Sequence, residues 1–301
     1  MAYILCGGTK ATVTIDGVEV ENDLALVSDG GIDESVSTLP YNFHTGDAVV
    51  YKDEIHIMGS GESGSYTKHY RFNGSSWTSI GNLPHSFRQG NAVVYKDELY
   101  ILGGFDYPTK NSKYNGSSWS GATDIPYQFY RGSAVVKDDE IHILGSTADS
   151  NTHQKHYKFN GSNWTSVSTI PYYFYEGSAV VFNNEIHIMG GIYDTSYYTY
   201  HYKYNGSSWV KLSNLPYYFY NSSAIVFKDE LHILGTIYST YRKWHFKYNG
   251  TSWTNVSTLP YDFYYGGAVV YNKTINILGG NGGLTSHYSI QKQIYTKGGV
   301  A

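Results

Sequence analysis

The sequence predicts an all-β protein that folds as a closed ring of six four-stranded antiparallel blades, a six-bladed β-propeller. Three observations predict this fold: a strand–turn–strand segment that occurs six times, a turn of the type Asn-Gly-Ser-Ser-Trp that occurs five times, and a nearly constant repeat length. The units close at Pro40, Pro84, Pro126, Pro171, Pro216 and Pro260, with gaps of 44, 42, 45, 45 and 44 residues. Four strands in about 44 residues is the period of a propeller blade. Seven blades are a less favoured alternative.

The first repeated segment predicts the inner hairpin of each blade. Its first copy, Ala48–Gly59, has two runs rich in Val, Ile and Tyr around a polar turn at Lys52 and Asp53, a pattern typical of buried strands. The later copies begin at Ala92, Ala134, Ala179, Ala224 and Ala268. We therefore expect six equivalent hairpins.

The second repeated segment predicts the outer strands. Asn-Gly between two aromatic-rich runs is a strong hairpin signal, because both residues tolerate a positive φ. The five copies end at Trp77, Trp119, Trp164, Trp209 and Trp253. The sixth outer strand is missing from the C-terminal end of the chain.

The missing strand is predicted at the other end of the chain. Residues 34–40 match residues 254–260 closely, with Asp33 at the position where the other blades have tryptophan. We therefore expect the N-terminal strand to complete the blade that the C-terminal segment begins, which covers the edge that this segment would otherwise expose.

Two regions follow from this division, residues 1–28 and a propeller at residues 29–301. The first region contains a predicted β-hairpin with a turn at Asp16 and Gly17. It is either a docking element for a larger assembly, or an extra strand pair that packs on the closing blade or remains from a seventh blade.

The composition excludes several classes of function. A formal net charge of −4 without a basic block argues against a nucleic-acid partner. Cys6 is the single cysteine, so no disulfide framework and no multi-cysteine metal site is expected. The N-terminus lacks the features of a secretory signal, and no apolar run has the length of a membrane span. We expect no membrane insertion.

The repeats resemble those of the kelch family. The resemblance lies in a first hairpin that ends in paired glycines, as at Gly103 and Gly104, a strand that carries tyrosine, and a tryptophan before the last strand. It covers roughly residues 33–297 and implies a propeller. Kelch propellers include both enzymes and adaptors, so the resemblance implies no single function.

One face of the predicted ring differs from blade to blade. The loop after the second strand and the loop into the next blade should lie on this face, and they vary in sequence and length. The turns of the opposite face are nearly constant. Because binding residues concentrate on loops of a rigid scaffold, we expect the first face, called here the variable face, to bind a ligand.

Tyrosine dominates the variable face, accompanied by short polar and charged residues. This composition suits recognition, since tyrosine gives a large contact area at a low entropic cost. Sugars offer C–H faces that stack on rings and hydroxyls that pair with polar groups, so we predict a glycan-binding surface with blades 4 and 5 contributing most. The predicted ligand-binding residues are His44, Arg88, Tyr130, Arg131, Tyr173, Tyr175, Glu176, Tyr193, Tyr197, Tyr198, Tyr218, Tyr220, Asn221, Tyr238, Tyr241, Asp262, Tyr264 and Tyr265. The alternative is loop variation without a common role.

Two sets of histidines recur on neighbouring strands. They are His56, His142, His187 and His232 on second strands, and His69, His156, His201, His245 and His287 on third strands. Paired imidazoles can hold a metal. However, repetition in nearly every blade favours a cross-strand packing role, and we predict no metal and no cofactor.

The prediction for function is a non-enzymatic recognition protein that binds a cell-surface glycan or receptor. A phage tail or other virion component is the expected setting, with assembly through residues 1–28. The expected location is the virion or an extracellular surface, and the alternative location is cytoplasmic. A protein-interaction or structural kelch propeller is the first alternative function. A sialidase-like glycan-active enzyme is the second, but the carboxylates Glu176 and Asp262 come from different blades and nothing pairs them as hydrolysis requires.

Overall fold

The computed structural model describes residues 11–15, 18–22, 32–236, 242–280 and 285–291. Strands β1 (Ala11–Ile15) and β2 (Val18–Asn22) pair antiparallel as a separate two-stranded sheet. The turn predicted at residues 16–17 and the remainder of residues 1–28 lie outside the described residues. Strand β3 (Ile32–Thr38) belongs to the propeller.

Six four-stranded sheets form the propeller. Blade 1 contains β4 (Asp47–Tyr51), β5 (Glu54–Met58), β6 (Lys68–Phe72) and β7 (Trp77–Asn82). Blade 2 contains β8 (Asn91–Tyr95), β9 (Glu98–Leu102), β10 (Asn111–Tyr114) and β11 (Trp119–Gly121). Blade 3 contains β12 (Ser133–Lys137), β13 (Glu140–Leu144), β14 (His156–Phe159) and β15 (Trp164–Ser166).

Blade 4 carries an additional two-stranded ribbon. Its strands are β16 (Ser178–Phe182), β17 (Glu185–Met189), β20 (His201–Tyr204) and β21 (Trp209–Lys211), with the ribbon β18 (Ile192–Tyr193) and β19 (Ser196–Tyr197) after the second strand. Blade 5 contains β22 (Ser223–Phe227), β23 (Glu230–Leu234), β24 (Trp244–Tyr248) and β25 (Trp253–Thr258). Blade 6 contains β26 (Gly267–Tyr271), β27 (Thr274–Leu278), β28 (Ser286–Gln291) and the N-terminal β3.

The ring closes as the sequence predicts. Strand β3 pairs antiparallel with β28, and Asp33 lies opposite Ile290, the position at which Trp77 lies opposite Phe72 in blade 1. The first strands of consecutive blades contact one another around the whole ring, including β26 with β4. The six-bladed all-β prediction is therefore confirmed. None of the described segments is a helix long and apolar enough to cross a membrane.

The inner hairpins turn through two residues with positive φ. In blade 1 these are Lys52 (φ 49°) and Asp53 (φ 57°), and equivalent pairs occur in the other five blades. Two consecutive positive φ angles are the signature of the type I′ turn, whose twist matches that of the flanking strands. The second strand is the most deeply buried in every blade, because sheets cover both of its faces.

The core lies between neighbouring blades. Each hydrophobic cluster combines side chains of two successive sheets, such as Val93 of blade 2 with Ile143 of blade 3. The loop into each blade places one fully buried phenylalanine in this core. These residues are Phe43, Phe87, Phe129, Phe174, Phe219 and Phe263.

A close approach fixes the position of each of these loops. Gly145 (φ +63°) lies so near the next blade that a Cβ atom there would be 1.8 Å from the carbonyl oxygen of Phe174. Only glycine fits this position, because it combines a left-handed conformation with no room for a side chain. The repeated glycine at the end of the second strand therefore holds the loops of the variable face in place.

Candidate ligand-binding face

The two variable loop families lie together on one face of the ring. The amide of Phe105, after the second strand of blade 2, donates to the carbonyl of Arg88 in the loop that enters the same blade, at 2.9 Å. Equivalent bonds join Gly61 to His44 and Ile192 to Tyr175. The structure thus brings the predicted variable loops side by side.

Six residues at the ends of the entering loops surround the axis of the ring. We call them the mouth ring: Thr45, Gln89, Arg131, Glu176, Asn221 and Tyr265. All six have φ between 52° and 59°, a left-handed conformation that costs a non-glycine residue about 1–2 kcal/mol. The conformation recurs because it lets each residue bond to its neighbour.

The mouth ring is a closed circuit of backbone hydrogen bonds. Each amide donates to the carbonyl of the equivalent residue in the preceding blade, over N···O distances of 2.5 to 3.0 Å. The circuit ends where it begins, since the amide of Thr45 donates to the carbonyl of Tyr265 at 2.8 Å. Its main-chain groups are therefore satisfied internally, and only its side chains are available to a ligand.

A cavity of about 270 Å³ opens inside the mouth ring. Its wall consists of the mouth ring and the three residues that follow each member, which are glycine, alanine, serine, asparagine or aspartate. Such a cavity offers hydrogen-bonding groups around most of its wall. Polar groups that converge in a concave site are what fixes the orientation of a small ligand.

Charged groups on neighbouring blades meet at the mouth of this cavity. Arg131 Nη1 lies 2.6 Å from Glu176 Oε1, and Asn221 Nδ2 donates to Glu176 Oε2 at 2.9 Å. The Glu176 side chain is only 7% exposed, so this ion pair is much less screened than one on the surface. Burial, followed by the nearby Glu176 charge, raises the pKa of Tyr265. The structure thus brings four predicted residues together.

Asp47 is a member of the cavity wall that the sequence analysis did not identify. Its two carboxylate oxygens accept hydrogen bonds from the amides of Ala48 at 2.8 Å and Ala92 at 2.6 Å. Burial raises the pKa of this carboxyl to about 6, although the two amide bonds oppose the shift. Asn91 occupies the same position in blade 2 and accepts from Ala134, so the position serves mainly to join blades.

Two tyrosine clusters flank the cavity at blade 4. The blade 3/4 cluster consists of His153, Tyr173, Tyr175 and Tyr193. Ring centroids of Tyr173 and Tyr193 lie 4.3 Å apart, and those of His153 and Tyr175 lie 5.1 Å apart. The amide of Asp194 donates to the Tyr175 hydroxyl at 3.1 Å. Tyr173 remains 36% exposed and gives the cluster an outward surface.

The blade 4/5 cluster consists of Tyr197, Tyr218 and Tyr220. The centroid of Tyr197 lies 5.9 Å from that of Tyr218 and 5.1 Å from that of Tyr220. Tyr218 is 39% exposed. Burial raises the pKa of Tyr220, so its hydroxyl stays protonated and can donate a hydrogen bond at neutral pH.

The ribbon β18–β19 separates these two clusters. In its register Tyr193 lies opposite Ser196, and Tyr197 lies opposite Ile192. Because side chains of paired residues lie on the same side of a ribbon and alternate along each strand, Tyr193 and Tyr197 lie on opposite sides. One ribbon therefore supplies a tyrosine to each cluster.

A further aromatic group lies at blade 2, and the sequence analysis missed most of it. The Phe105 ring contacts Tyr130 edge-on at 5.5 Å, and the Arg88 guanidinium lies 4.5 Å from the Phe105 centroid. Phe105 and Tyr107 are 49% and 45% exposed. Phe105 follows a paired glycine exactly as Ile192 does in blade 4, and that equivalence was the available signal.

The other predicted residues have individual surroundings. His44 Nε2 lies 3.7 Å from Glu62 Oε2. Arg242 Nη1 lies 3.5 Å from Asp262 Oδ2, and its guanidinium lies 5.3 Å from the Tyr264 centroid. Tyr238 and Tyr241 lie outside the described residues.

Tyr198 is placed differently from the other predicted tyrosines. Its ring stacks on Tyr200 at 5.0 Å and meets Tyr172 edge-on at 5.4 Å, beside the hydrophobic core between blades 3 and 4. Its main contribution is therefore to the packing of this core rather than to the tyrosine clusters of the variable face.

The repeated histidines pair across strands and link blades. His142 Nδ1 and His156 Nε2 are 2.8 Å apart, and the His156 ring contacts Trp209 of the next blade at 5.6 Å. Burial lowers the pKa values of His142 and His156 to about 4 and about 3, so both are neutral and hydrogen-bonded. Among the described residues, no group of three or more potential ligands is placed to hold a metal.

Comparison with known proteins supports the fold. Among solved structures, that of YjhT matches with a TM-score of 0.72 over 84% of this chain and 95% of its own. The sequence identity is 15%, so this similarity shows a shared fold and nothing about activity. No protein-family model and no curated protein matches the chain. The kelch resemblance therefore stays a prediction.

Proposed function

We propose that this protein is a non-enzymatic recognition protein that binds a glycan on its variable face. The propeller fold is consistent with a binding or protein-interaction role. The observation that carries the proposal is the position of exposed tyrosines, such as Tyr173 and Tyr218, beside a polar cavity in one rigid surface.

The two kinds of surface suit the two kinds of group on a sugar. Tyrosine rings offer flat apolar faces for C–H groups, while their hydroxyls and the side chains of the mouth ring offer hydrogen bonds for sugar hydroxyls. The entering loops need little ordering upon binding, because the backbone circuit and the buried phenylalanines already fix them. A fixed surface loses less entropy when it binds.

In this proposal the setting is a phage tail or another virion component that contacts a cell surface. Residues 1–28, which include the β1–β2 hairpin, would then dock the propeller onto a larger assembly. The kelch-like repeat is compatible with this setting but does not require it.

A protein partner is the second candidate. The exposed phenylalanine ring of Phe105 favours it, because aromatic side chains are enriched at protein interfaces. A glycan-active enzyme would depend on a carboxylate of the mouth, and Glu176 is the carboxylate of the mouth ring. The glycan-binding experiment described next also distinguishes these two alternatives.

Binding of the purified chain to a broad glycan array tests the proposal. We expect binding to a limited set of glycans, and a loss of about tenfold or more in affinity for Tyr173→Ala and Tyr218→Ala. Tyr217→Ala is the matched control, since Tyr217 is also 39% exposed but packs on Trp244 at 3.7 Å outside the clusters. Unchanged thermal unfolding in each variant shows that the fold is retained.

Other outcomes would overturn the proposal. An array without any binding, together with capture of one defined protein that depends on Phe105, would favour the protein-interaction role. Conversion of a bound glycan to a product, abolished in Glu176→Gln, would show an enzyme.

A further inference from the structure

The aromatic group at blade 2 shares its architecture with the two clusters at blade 4. We define the blade 2/3 cluster as Phe105 and Tyr130, together with Tyr107, which lies on the same loop as Phe105 and packs its ring on His85 at 5.2 Å. In each cluster, residues from the loop after a second strand meet residues from the loop that enters a neighbouring blade, as Phe105 meets Tyr130 and Tyr197 meets Tyr220. The three clusters therefore occupy successive junctions, between blades 2 and 3, 3 and 4, and 4 and 5.

These clusters form an arc around one side of the mouth ring. Each presents at least one ring with more than a third of its surface exposed: Phe105 and Tyr107, Tyr173, and Tyr218. The loop that enters blade 1 differs, because it has Asn42 and His44 at the positions of Tyr173 and Tyr175. His44 lies near Glu62. Three exposed aromatic surfaces in sequence exceed what a single sugar ring could cover.

The arginines of this face are already paired with carboxylates. Arg88 makes a two-point contact with Asp106, with Nε–Oδ2 and Nη2–Oδ1 distances of 3.0 and 3.1 Å. Arg131 pairs with Glu176 and Arg242 with Asp262. Every arginine of the variable face in the described part of the chain thus has a carboxylate partner. An acidic ligand would have to displace one of these partners, whereas an uncharged ligand would not.

We propose that the arc binds a neutral oligosaccharide of three or more sugar units, with one ring stacked at each cluster. This inference rests on the proposed glycan binding and adds to it the length and the charge of the ligand. The blade 2/3 cluster is then a separate subsite, which only a chain long enough to reach it would contact.

A size series of neutral oligosaccharides tests the inference. The ligands are cello-, malto-, manno- and chito-oligosaccharides of one to eight units, together with any neutral glycan that the array identifies, cut to the same lengths. We expect affinity to increase by about tenfold or more between the monosaccharide and the longest chain. The affinity should vary little between 50 and 500 mM salt, because no ligand charge is involved.

Variants separate the subsites. The double variant Phe105→Ala, Tyr107→Ala should lower affinity for the longest chains by about tenfold and leave that for the shortest bound fragments unchanged. Both side chains are about half exposed, so the fold should tolerate the change, and thermal unfolding checks this. Tyr218→Ala serves as the comparison at the other end of the arc.

The inference and the proposed function fail in different ways. A monosaccharide that binds as tightly as the longest chain, and that loses its binding in Tyr173→Ala, would show that the extended site is wrong. An unchanged affinity in the Phe105→Ala, Tyr107→Ala variant would show the same. In both cases the proposed glycan binding would still hold. A preference for oligogalacturonates or sialylated chains, weakened by salt, would overturn the neutral ligand. If no glycan binds at all, both proposals are wrong.

Discussion

Ser37 and His287, which are 250 residues apart in the chain, are joined by a hydrogen bond of 2.9 Å between Ser37 Oγ and His287 Nδ1. Ser37 Oγ also accepts a bond from Trp77 Nε1 of blade 1 at 2.9 Å. One residue of the N-terminal strand therefore connects the last blade to the first. The ring depends on this strand for its closure.

Removal of β3 should destabilise the whole propeller. A chain that begins at residue 39 loses the pairing with β28 and leaves that strand as an exposed edge. We expect its unfolding temperature to fall by about 10 °C or more, with association in size-exclusion chromatography. The matched control begins at residue 32 and keeps β3. Equal stability of the two truncated chains would show that closure does not depend on this strand.

Acid should destabilise the protein through its buried histidines. The pKa of His142 is lowered from 6.5 to about 4 by burial, so the unfolded chain binds a proton that the folded chain does not. Stability is then lost as pH falls from about 6.5 to about 4.

The His142→Asn variant tests this explanation. Asn276 naturally replaces histidine at this position in blade 6 and accepts from His287 Nε2 at 2.9 Å. Between pH 7 and pH 4, we expect the variant to lose about 1–3 kcal/mol less unfolding free energy than the parent protein. This figure uses the conversion of about 1.4 kcal/mol per pKa unit. Urea unfolding across this pH range measures the effect. An unchanged pH dependence would assign the acid sensitivity to other groups.

Asp47→Asn should stabilise the protein near neutral pH. The folded pKa of Asp47 is raised from 3.8 to about 6, so ionisation disfavours the folded state as pH rises from about 4 to about 6. An asparagine at this position carries no charge, so it removes the cost of burying an ionised carboxylate. Its side-chain oxygen can accept a hydrogen bond from the Ala92 amide, as Asn91 accepts one from the Ala134 amide. We expect a gain of about 1–3 kcal/mol at pH 7 and little gain at pH 4. A loss of stability at pH 7 would contradict the raised pKa.

Gly145→Ala should disturb both the core and the variable face. Its Cβ atom would lie 1.8 Å from the Phe174 carbonyl oxygen, so the loop that carries Tyr173 and Tyr175 must move. We expect a loss of at least about 3 kcal/mol of unfolding free energy. Gly64→Ala is the control, because Gly64 also has a positive φ but no atom within 4 Å of the added Cβ. It should cost about 1 kcal/mol. If chemical unfolding shows similar losses for Gly145→Ala and Gly64→Ala, the positive φ alone explains the destabilisation and the close approach to Phe174 does not contribute.

The fold could be predicted because its information is local and repeated. Strand alternation, the Asn-Gly turns and the displaced strand at residues 33–40 are all visible in the sequence. The ion pair between Arg131 and Glu176 was not predicted, although both residues occupy the same repeat position in adjacent blades.

Other parts of the site depend on orientations that the repeat does not determine. Tyr198 was grouped with its neighbours, yet it stacks on Tyr200. Asp47 replaces a serine, asparagine or glycine of other blades, and its raised pKa arises from burial in the cavity wall. Exposure of Phe105 depends on how the loop after β9 projects.

The mouth ring contains six different amino acids in one backbone conformation: Thr45, Gln89, Arg131, Glu176, Asn221 and Tyr265. Main-chain groups alone form its hydrogen bonds, so the circuit does not depend on which side chain each residue carries. Replacing several of these side chains at once should therefore yield propellers of the same shape with different ligand preferences. A single scaffold could in this way serve many receptors.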